Sequence, residues 1–451
     1  MYNKNVWLNK DESKEIFDFG NDYKNFISKC KTERLCTKEA VSLLQSKGFK
    51  ELSSLKTLKA GDKVYKVNKG KNVCAFIIGE NDIRDGLRIL GAHIDSPRMD
   101  LKQNPLYEKK GFALLDTHYY GGIKKYQWVT IPLALYGVVV KKDGTVIDIN
   151  IGDNSEDPVL GISDLLIHLA QDQMTKKANV VIEGEDLDLI CGSIPEDDKK
   201  NSVKKNILKL IKEKYQIDEE DFLSAEIEVV PAGPARDYGL DRSMIAGYGH
   251  DDRSCAYTSL RAILDTENPK YTSCTILVDK EEIGSVGATG AQSYFFENTI
   301  IELLDKFGHA DILSLRKTLE NSFMLSSDVS AGVDPLYSSA YEENNACFLG
   351  NGIVFNKYTG ARGKSGSNDC MPEYFAWVRN VMDSENICYQ TAELGKVDQG
   401  GGGTIAYILG NTNMNVVDAG IAVLNMHAPM EIVSKADVYE TYLAYKAFLT
   451  K

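Results

Sequence analysis

Residues 274–285 read CTILVDKEEIGS, an apolar run followed by two adjacent carboxylates and a glycine. The run predicts a buried strand, and Gly284 predicts a turn after it. Successive side chains at the end of a strand point in different directions, so Glu281 and Glu282 can face different partners. One carboxylate can bind a metal ion while its neighbour takes a proton from water, as in metal-assisted hydrolysis. Taken alone, the pair also fits a solvated acidic loop.

Four further segments place an imidazole or a carboxylate at a predicted strand end or turn. They are LRILGAHIDSP with His93, AGYGHDDRSCAY with Asp251 and Asp252, FMLSSDVSAG with Asp328, and LNMHAPMEI with His427. Open α/β sheets bind ligands in the crevice outside the carboxyl ends of their strands, so these groups can converge. Strand and helix patterns alternate after residue 234, which indicates a mixed α/β sheet.

Together these segments resemble the aspartyl aminopeptidase and aminopeptidase I family of two-metal exopeptidases, most closely its bacterial members. The resemblance covers nearly the whole chain and rests on the order His, Asp, Glu-Glu, Asp, His. SSDVSAG, MHAPME, DQGGGGT and the long insert after His93 also contribute to it. It implies a zinc-exopeptidase catalytic domain with a mixed sheet, formed by residues 1–100 and 235–451. Residues 101–234 are expected to form an inserted β-rich dimerisation domain.

The resemblance implies two divalent metal ions in each subunit. The first ion is expected to bind His93 and Asp328, and the second Glu282 and His427, with Asp251 bridging both. Two imidazoles with carboxylates suit zinc, and cobalt or manganese fit the same ligands.

Further acidic residues lie next to these ligands in the sequence, and two of them have expected roles of their own. Asp95 resembles the acid that holds the His93 imidazole in one tautomer, although an aspartate before Ser-Pro also fits a simple turn. The sequence leaves open whether Asp251 or Asp252 bridges the metals. Glu281 is expected to act as general base, taking a proton from the attacking water and passing it to the leaving amine.

This reading predicts a zinc-dependent aminopeptidase, a hydrolase that acts on short peptides with a free N-terminus. An internal peptide bond supplies no free amine for the site to bind, so endopeptidase activity is disfavoured. Two alternatives stay open. One is a metal-dependent deacylase of N-acyl amino acids, and the other is a non-enzymatic shell or cargo protein that retains the fold. The full set of expected ligands together with Glu281 argues against the second.

Substrate preference is predicted to differ from that of the acidic-specific members of the family. In DVSAGVDP, Ala331 and Asp334 occupy positions where those members carry histidines. The aligned strand NGIVFNKYTG places Phe355 where they carry a lysine, with Lys357 nearby. An added anion repels acidic side chains, so a neutral or basic N-terminal residue is preferred. The glycines of DQGGGGT are expected to form a wall of the substrate pocket, or simply a flexible turn.

The segment GISDLLIHLAQD predicts an amphipathic helix and resembles a short family motif, Leu-Ile-His-Leu. The histidine of that motif reaches across a dimer interface into the active site of the partner, and His168 matches it. A purely structural histidine is the alternative. Family members form tetrahedral particles of twelve subunits, so the resemblance implies a dimer-based homo-oligomer, a tetrahedral dodecamer.

Composition agrees with a folded enzyme. A length of 451 residues favours two domains, and the net charge of −13 argues against a nucleic-acid partner. The sequence contains no apolar span long enough for a membrane helix. Nine cysteines without a CxxC pair indicate reduced thiols. We therefore expect a cytoplasmic protein that is not attached to a membrane.

Overall fold

The structure is a computed structural model that describes residues 5–11, 13–360 and 362–451. The strands are β1 (Lys50–Glu51), β2 (Lys63–Asn68), β3 (Asn72–Ile77), β4 (Leu87–His93), β5 (Arg98–Lys109), β6 (Phe112–Tyr120), β7 (Leu133–Val140), β8 (Val146–Ile151), β9 (Leu189–Gly192), β10 (Ala225–Pro231), β11 (Arg236–Tyr238), β12 (Met244–Gly247), β13 (Thr272–Val278), β14 (Phe323–Ser326), β15 (Ser330–Ala331), β16 (Ile353–Asn356), β17 (Tyr389–Thr391), β18 (Asn415–Gly420), β19 (Ala422–Leu424) and β20 (Glu431–Ser434). The helices are α1 (Val6–Asn9), α2 (Ser13–Lys29), α3 (Glu33–Ser46), α4 (Ser202–Tyr215), α5 (His250–Leu264), α6 (Phe295–Lys306), α7 (Ile312–Glu320), α8 (Pro372–Ser384), α9 (Ala406–Gly410) and α10 (Lys435–Thr450).

The chain divides into two compact units. The first comprises the chain up to Asp95 together with Ala235–Met426 and Met430–Lys451, and the second comprises Ser96–Pro234 and His427–Pro429. The sequence placed the first boundary at residue 100, within β5, and assigned His427 to the catalytic domain. Of the predicted catalytic domain, residues 1–4, Glu12 and Ala361 lie outside the described residues. The predicted division, with a dimerisation role for residues 101–234, stays a prediction.

A mixed sheet forms the centre of the first unit. Within the described residues its strand order is β1-β2-β3-β13-β4-β14-β18-β16-β17. The neighbours β13, β4, β14 and β18 run parallel, whereas β3 runs antiparallel to β13 and β16 runs antiparallel to β18. A second, smaller sheet has the order β11-β12-β20-β19-β15. The mixed α/β sheet predicted from the sequence is confirmed.

The central strands are apolar on both faces because helices cover both faces of the sheet. All seven residues of β13 are buried. Its Leu277 packs in one core with residues of α2, α5, α8 and α10, whereas Ile276 packs in the other with residues of α6, α7 and α9. Each fully buried side chain of this size contributes about 1.5–3 kcal/mol through removal from water. The sheet is therefore a rigid platform for the groups at its strand ends.

The second unit contains an antiparallel sheet of order β8-β7-β10-β5-β6-β9. Strands β7, β8 and β10 belong to this sheet, in line with the β-rich character expected of the region, and VKKNILKLIKEKY lies within α4. The segment GISDLLIHLAQD differs from the prediction. It contains only a single 3₁₀ turn, Ile167–Leu169, in otherwise irregular chain. The charged stretch from Ile182 to Val203 includes β9, which pairs with β6.

No helix in the portion of the chain that the structure covers is long and apolar enough to cross a membrane. The cytoplasmic location stays a prediction.

A buried carboxylate in the first turn of α10 organises a loop of the first unit. Asp437 accepts hydrogen bonds from the backbone N–H groups of Gly350 and Gly352, each at 2.7 Å. Both glycines have positive φ angles, 87° and 84°, which other residues rarely adopt. The carboxylate therefore replaces the partners that a regular strand would have supplied to these N–H groups.

We expect Asp437→Ala to lower the free energy of unfolding by about 3 kcal/mol, because it leaves two buried N–H groups unpaired. Urea unfolding followed by circular dichroism measures the change. Glu320→Ala, at an exposed position at the end of α7, serves as control and should stay within about 0.5 kcal/mol of the parent. A loss below about 1 kcal/mol for Asp437→Ala would show that these N–H groups find other partners.

Candidate active site

The register of the parallel strands brings three of the predicted site segments to one edge of the central sheet. His93, the last residue of β4, lies opposite Val278, the last residue of β13. On the other side of β4, Ser326 of β14 lies opposite Gly91. Asp328 and His93 each follow that pair by two residues, so they reach the same level beyond the sheet. Helix α5 starts at His250 and carries Asp251 in its first turn.

His93, Asp251 and Asp328 form a compact group. Each offers a ligand atom, and these atoms lie within 4.8 Å of one another. The Nε2 atom of His93 is 3.1 Å from Oδ1 of Asp251 and 4.0 Å from Oδ1 of Asp328. Burial of Asp328, followed by the negative charge of nearby Asp252, raises its pKa well above the ordinary value. A divalent cation relieves such a cost, and the donor set of one imidazole and two carboxylates fits a metal ion of the zinc type.

Asp95 is fully buried and joins the ends of β4 and β13. Its Oδ1 and Oδ2 accept hydrogen bonds from the N–H groups of Glu281 and Glu282, at 3.1 and 3.2 Å. The Nδ1 atom of His93 lies 3.1 Å from the carbonyl oxygen of Asp95 and 3.3 Å from its Oδ1. Both partners are acceptors, which assigns the proton to Nδ1 and leaves the lone pair of Nε2 free for a metal.

The two adjacent glutamates lie in a 3₁₀ turn, Glu281–Ile283, that follows β13. Oε2 of Glu281 is 3.9 Å from Nε2 of His93, at the edge of the ligand group. A carboxylate oxygen of Glu282 lies within 4.8 Å of one from Asp251. The two side chains thus face different parts of the same region.

The two adjacent aspartates at the start of α5 differ in their surroundings. Asp251 directs Oδ1 towards His93, and its N–H donates to Oε2 of Glu431 at 3.0 Å. Asp252 is fully buried and accepts the backbone N–H of His93 at 3.3 Å. Burial, the main cause, raises the pKa of Asp252 well above the ordinary value. This geometry favours Asp251 as the ligand, and the bridging role stays a prediction.

Glu431 was missed by the sequence reasoning. It starts β20 and is almost completely buried, and the hydrogen bond that it accepts from the backbone of Asp251 fixes the position of that residue. The signal was present, because this glutamate ends the MHAPME stretch quoted above.

The remaining predicted site residues, His427 and His168, belong to the second unit. Nδ1 of His427 lies 2.9 Å from the carbonyl oxygen of Gly122. His168 is exposed and lies in the 3₁₀ turn of residues 167–169. The role of each residue stays a prediction.

Phe355, one of the residues from which substrate preference was predicted, lies in the core. Phe355 is fully buried against Phe375 and Tyr389, so it cannot line an open pocket. The next residue, Asn356, points to the opposite face of β16 and donates to the carbonyl oxygen of Ala392 at 2.9 Å. The alignment of Phe355 with a lysine of the acidic-specific members, and the substrate preference drawn from it, stay predictions.

The glycine run of residues 400–403 borders a cavity in the first unit. A Cβ atom on Gly400 would lie 1.7 Å from the carbonyl oxygen of Leu394, so only glycine fits there. The cavity has a volume of about 240 Å³, and its lining includes the charged residues Arg362, Lys364, Glu393, Lys396 and Asp398. Charges of both signs therefore surround it.

The chain is similar to aminopeptidases over nearly its whole length. A family model described as "Aminopeptidase I zinc metalloprotease (M18)" matches residues 26–449. A Clostridium acetobutylicum relative named "Probable M18 family aminopeptidase 1" is 59% identical over 454 residues, covering 99% of this chain and 98% of the relative. A crystal structure of an M18 aminopeptidase from Thermotoga maritima is 48% identical with a TM-score of 0.97, covering 100% of both chains. The solved mApe1 dodecamer of S. cerevisiae, 21% identical over 96% of both chains with a TM-score of 0.77, shares the fold alone.

We expect Asp95→Ala to weaken divalent metal binding by about 10- to 100-fold, because the His93 ring and the turn that carries Glu281 and Glu282 lose their shared acceptor. Calorimetric titration of metal-free protein with zinc measures this change. Asp62→Ala, which also removes an acceptor of a backbone N–H group but in an exposed turn, should bind zinc like the parent. Equal zinc affinities for Asp95→Ala and the parent would show that Asp95 only stabilises the turn and does not orient the metal ligands.

Proposed function

Because the chain belongs to the M18 family of aminopeptidase I zinc metalloproteases, we propose that it removes the N-terminal residue of short peptides with two divalent metal ions and Glu281 as general base. The family and the enzyme class predicted from the sequence, a zinc aminopeptidase and hydrolase, are confirmed. The observation that carries the proposal is the group of His93, Asp251 and Asp328, with the carboxylate of Glu281 3.9 Å from the His93 ring.

In this proposal five residues hold the metals. His93 and Asp328 would bind one ion, Glu282 and His427 would bind the other, and Asp251 would be shared by both. Zinc is the expected metal, and cobalt or manganese suit the same donors. When bound, the ions make a water molecule more acidic and polarise the carbonyl group of the substrate.

The protein residues then divide the work of proton transfer and orientation. Glu281 takes a proton from the attacking water and gives it to the leaving amine as the peptide bond breaks. The backbone of Glu281 is fixed by its hydrogen bond to Asp95, so its carboxylate stays at the edge of the ligand group. The α-amine of the substrate is recognised near the same carboxylates, which favours free N-termini over internal peptide bonds.

A neutral or basic N-terminal residue is proposed to be preferred over an acidic one. Asp334 supports this preference, because it is partly exposed after β15 and adds a negative charge six residues beyond Asp328. Acidic side chains would be repelled there.

We further propose a cytoplasmic homo-oligomer built from dimers, a tetrahedral dodecamer in which His168 completes the active site of a partner subunit. Support comes from the apolar side chains beside His168. Leu166, Ile167 and Leu169 are 53%, 67% and 68% exposed, which is unusual for three neighbouring aliphatic residues. A second copy of the chain would cover them.

The adjacent glutamates provide a matched pair of variants. Glu281→Gln should bind zinc normally and lose at least about 100-fold in kcat, because the amide cannot accept the proton of the water. Glu282→Gln should instead lose zinc. Metal analysis by mass spectrometry and initial rates on leucine amide separate the two effects. A normal kcat in Glu281→Gln would show that Glu281 is not the general base.

The substrate class is tested with aminoacyl amides of Asp, Glu, Leu, Lys and Arg, each free and N-acetylated. We expect cleavage of the free-amine compounds only, faster for Leu, Lys or Arg than for Asp and Glu, and loss of turnover with a chelator. Added zinc, cobalt or manganese should restore it. Cleavage of acetylated compounds alone would identify a deacylase, and no turnover with any metal would favour a shell or cargo protein.

A further inference from the structure

The glycine run is anchored at its C-terminal end by a buried hydrogen bond. The hydroxyl group of Thr404 donates to Oδ1 of Asp418 at 2.6 Å, and its oxygen accepts the N–H of Ala406, the first residue of α9, at 3.2 Å. Asp418 is 2% exposed. Burial raises its pKa to about 6, so at pH 7.5 it is mostly a carboxylate and accepts a strong, charge-assisted hydrogen bond.

This anchor lies just below the row of candidate metal ligands. Asp418 of β18 lies opposite Ser326 of β14, which lies opposite Gly91 of β4. His93 and Asp328 each follow this row by two residues, a distance of about 7 Å along the strands. Ile405, the neighbour of Thr404, also packs here, because a Cβ atom on Gly91 would lie 3.2 Å from its Cδ1.

The glycine run itself has few side-chain contacts that could fix its position. A Cβ atom on Gly403 would have no neighbour within 4 Å, and one on Gly402 would only reach a methyl group of Leu394 at 3.6 Å. The carbonyl oxygen of Gly402 accepts the N–H of Gly360 at 2.7 Å. Glycine also has the largest conformational freedom of any residue. The N–H of Gly400 donates to the carbonyl oxygen of Lys396 at 2.9 Å and holds the N-terminal end of the run, so the position of Gly402 and Gly403 depends on the Thr404 anchor.

We propose that Thr404 and Asp418 are positioning residues for substrate binding, which act by holding the glycine run in place as a wall of the pocket for the N-terminal residue. This inference rests on the proposed aminopeptidase function. Neither residue contacts the reacting atoms in this proposal. Loss of the anchor loosens the wall and weakens binding of the substrate, while the metal ligands and Glu281 keep their positions.

The test compares Thr404→Val with Thr404→Ser in the full-length, zinc-loaded protein, with leucine amide as substrate. Valine has nearly the shape of threonine without the hydroxyl group, whereas serine keeps it. We expect KM to rise by about 10-fold or more in Thr404→Val, the effect of losing one hydrogen bond to a charged group, with kcat within about 3-fold of the parent. Thr404→Ser should stay within about 2-fold in both, and zinc content should not change.

Two further variants keep the result interpretable. Thr412→Val removes a hydroxyl group that donates to the carbonyl oxygen of Leu409 just after the same helix, and it should leave KM unchanged. Asp418→Asn keeps an acceptor oxygen and the shape, so it tests the anchor if Thr404→Val does not fold. Its KM is expected to rise by about 3-fold or more, because the hydrogen bond loses its charge.

The outcomes distinguish the inference from the function on which it rests. An active parent enzyme whose KM is unchanged in Thr404→Val and Asp418→Asn contradicts the positioning role. A fall in kcat with unchanged KM, or loss of zinc, contradicts it as well. If the parent protein cleaves no free-amine substrate with any metal, the proposed aminopeptidase function is contradicted, and so is the inference that rests on it.

Discussion

The arrangement of the site depends on the carboxylate of Asp95. It follows β4 by two residues, yet it accepts both N–H groups of the Glu281–Glu282 turn after β13. It therefore fixes the ring of His93 and the positions of both glutamates at once. Alignment of two neighbouring parallel strands alone would bring these segments close, but it would not orient an imidazole and two carboxylates relative to one another. A single buried acid supplies that orientation.

The same region carries a high electrostatic cost. Asp251, Asp252 and Asp328 are packed around one imidazole, and the pKa values of Asp252 and Asp328 are raised well above the ordinary value, mainly by burial. Such clustering of like charges destabilises a fold unless cations or protons compensate it. The rigid, doubly covered sheet beneath the site tolerates this cost, since its core lies apart from the charged edge. Stability and chemistry are thus located on different parts of the same strands.

Much of the sheet could be predicted from the sequence because buried strands have a simple signature. CTILV and RILGAH are apolar at every position or nearly so, which two covered faces require, and their polar residues begin where the strands end. The glutamate turn could be predicted for the same reason. The faces on which Phe355 and Asn356 lie could not be predicted. In a short strand, an alignment that is shifted by one residue places each side chain on the opposite face of the sheet. Glu431 was missed although it ends the quoted MHAPME stretch, because the group it holds is a backbone N–H of Asp251, and a backbone partner does not show in the sequence.

The segment around His168 shows a further reason why a sequence pattern can mislead. Its apolar residues were taken as one face of a helix, whereas the structure has a single 3₁₀ turn with Leu165, Leu166, Ile167 and Leu169 between 47% and 68% exposed. A run of apolar residues indicates that a segment is buried, but it does not indicate whether the same chain or another subunit buries it. In the single chain these side chains are exposed. A second copy of the chain would bury these side chains without requiring a helix, which is why we propose that the segment lies at an interface.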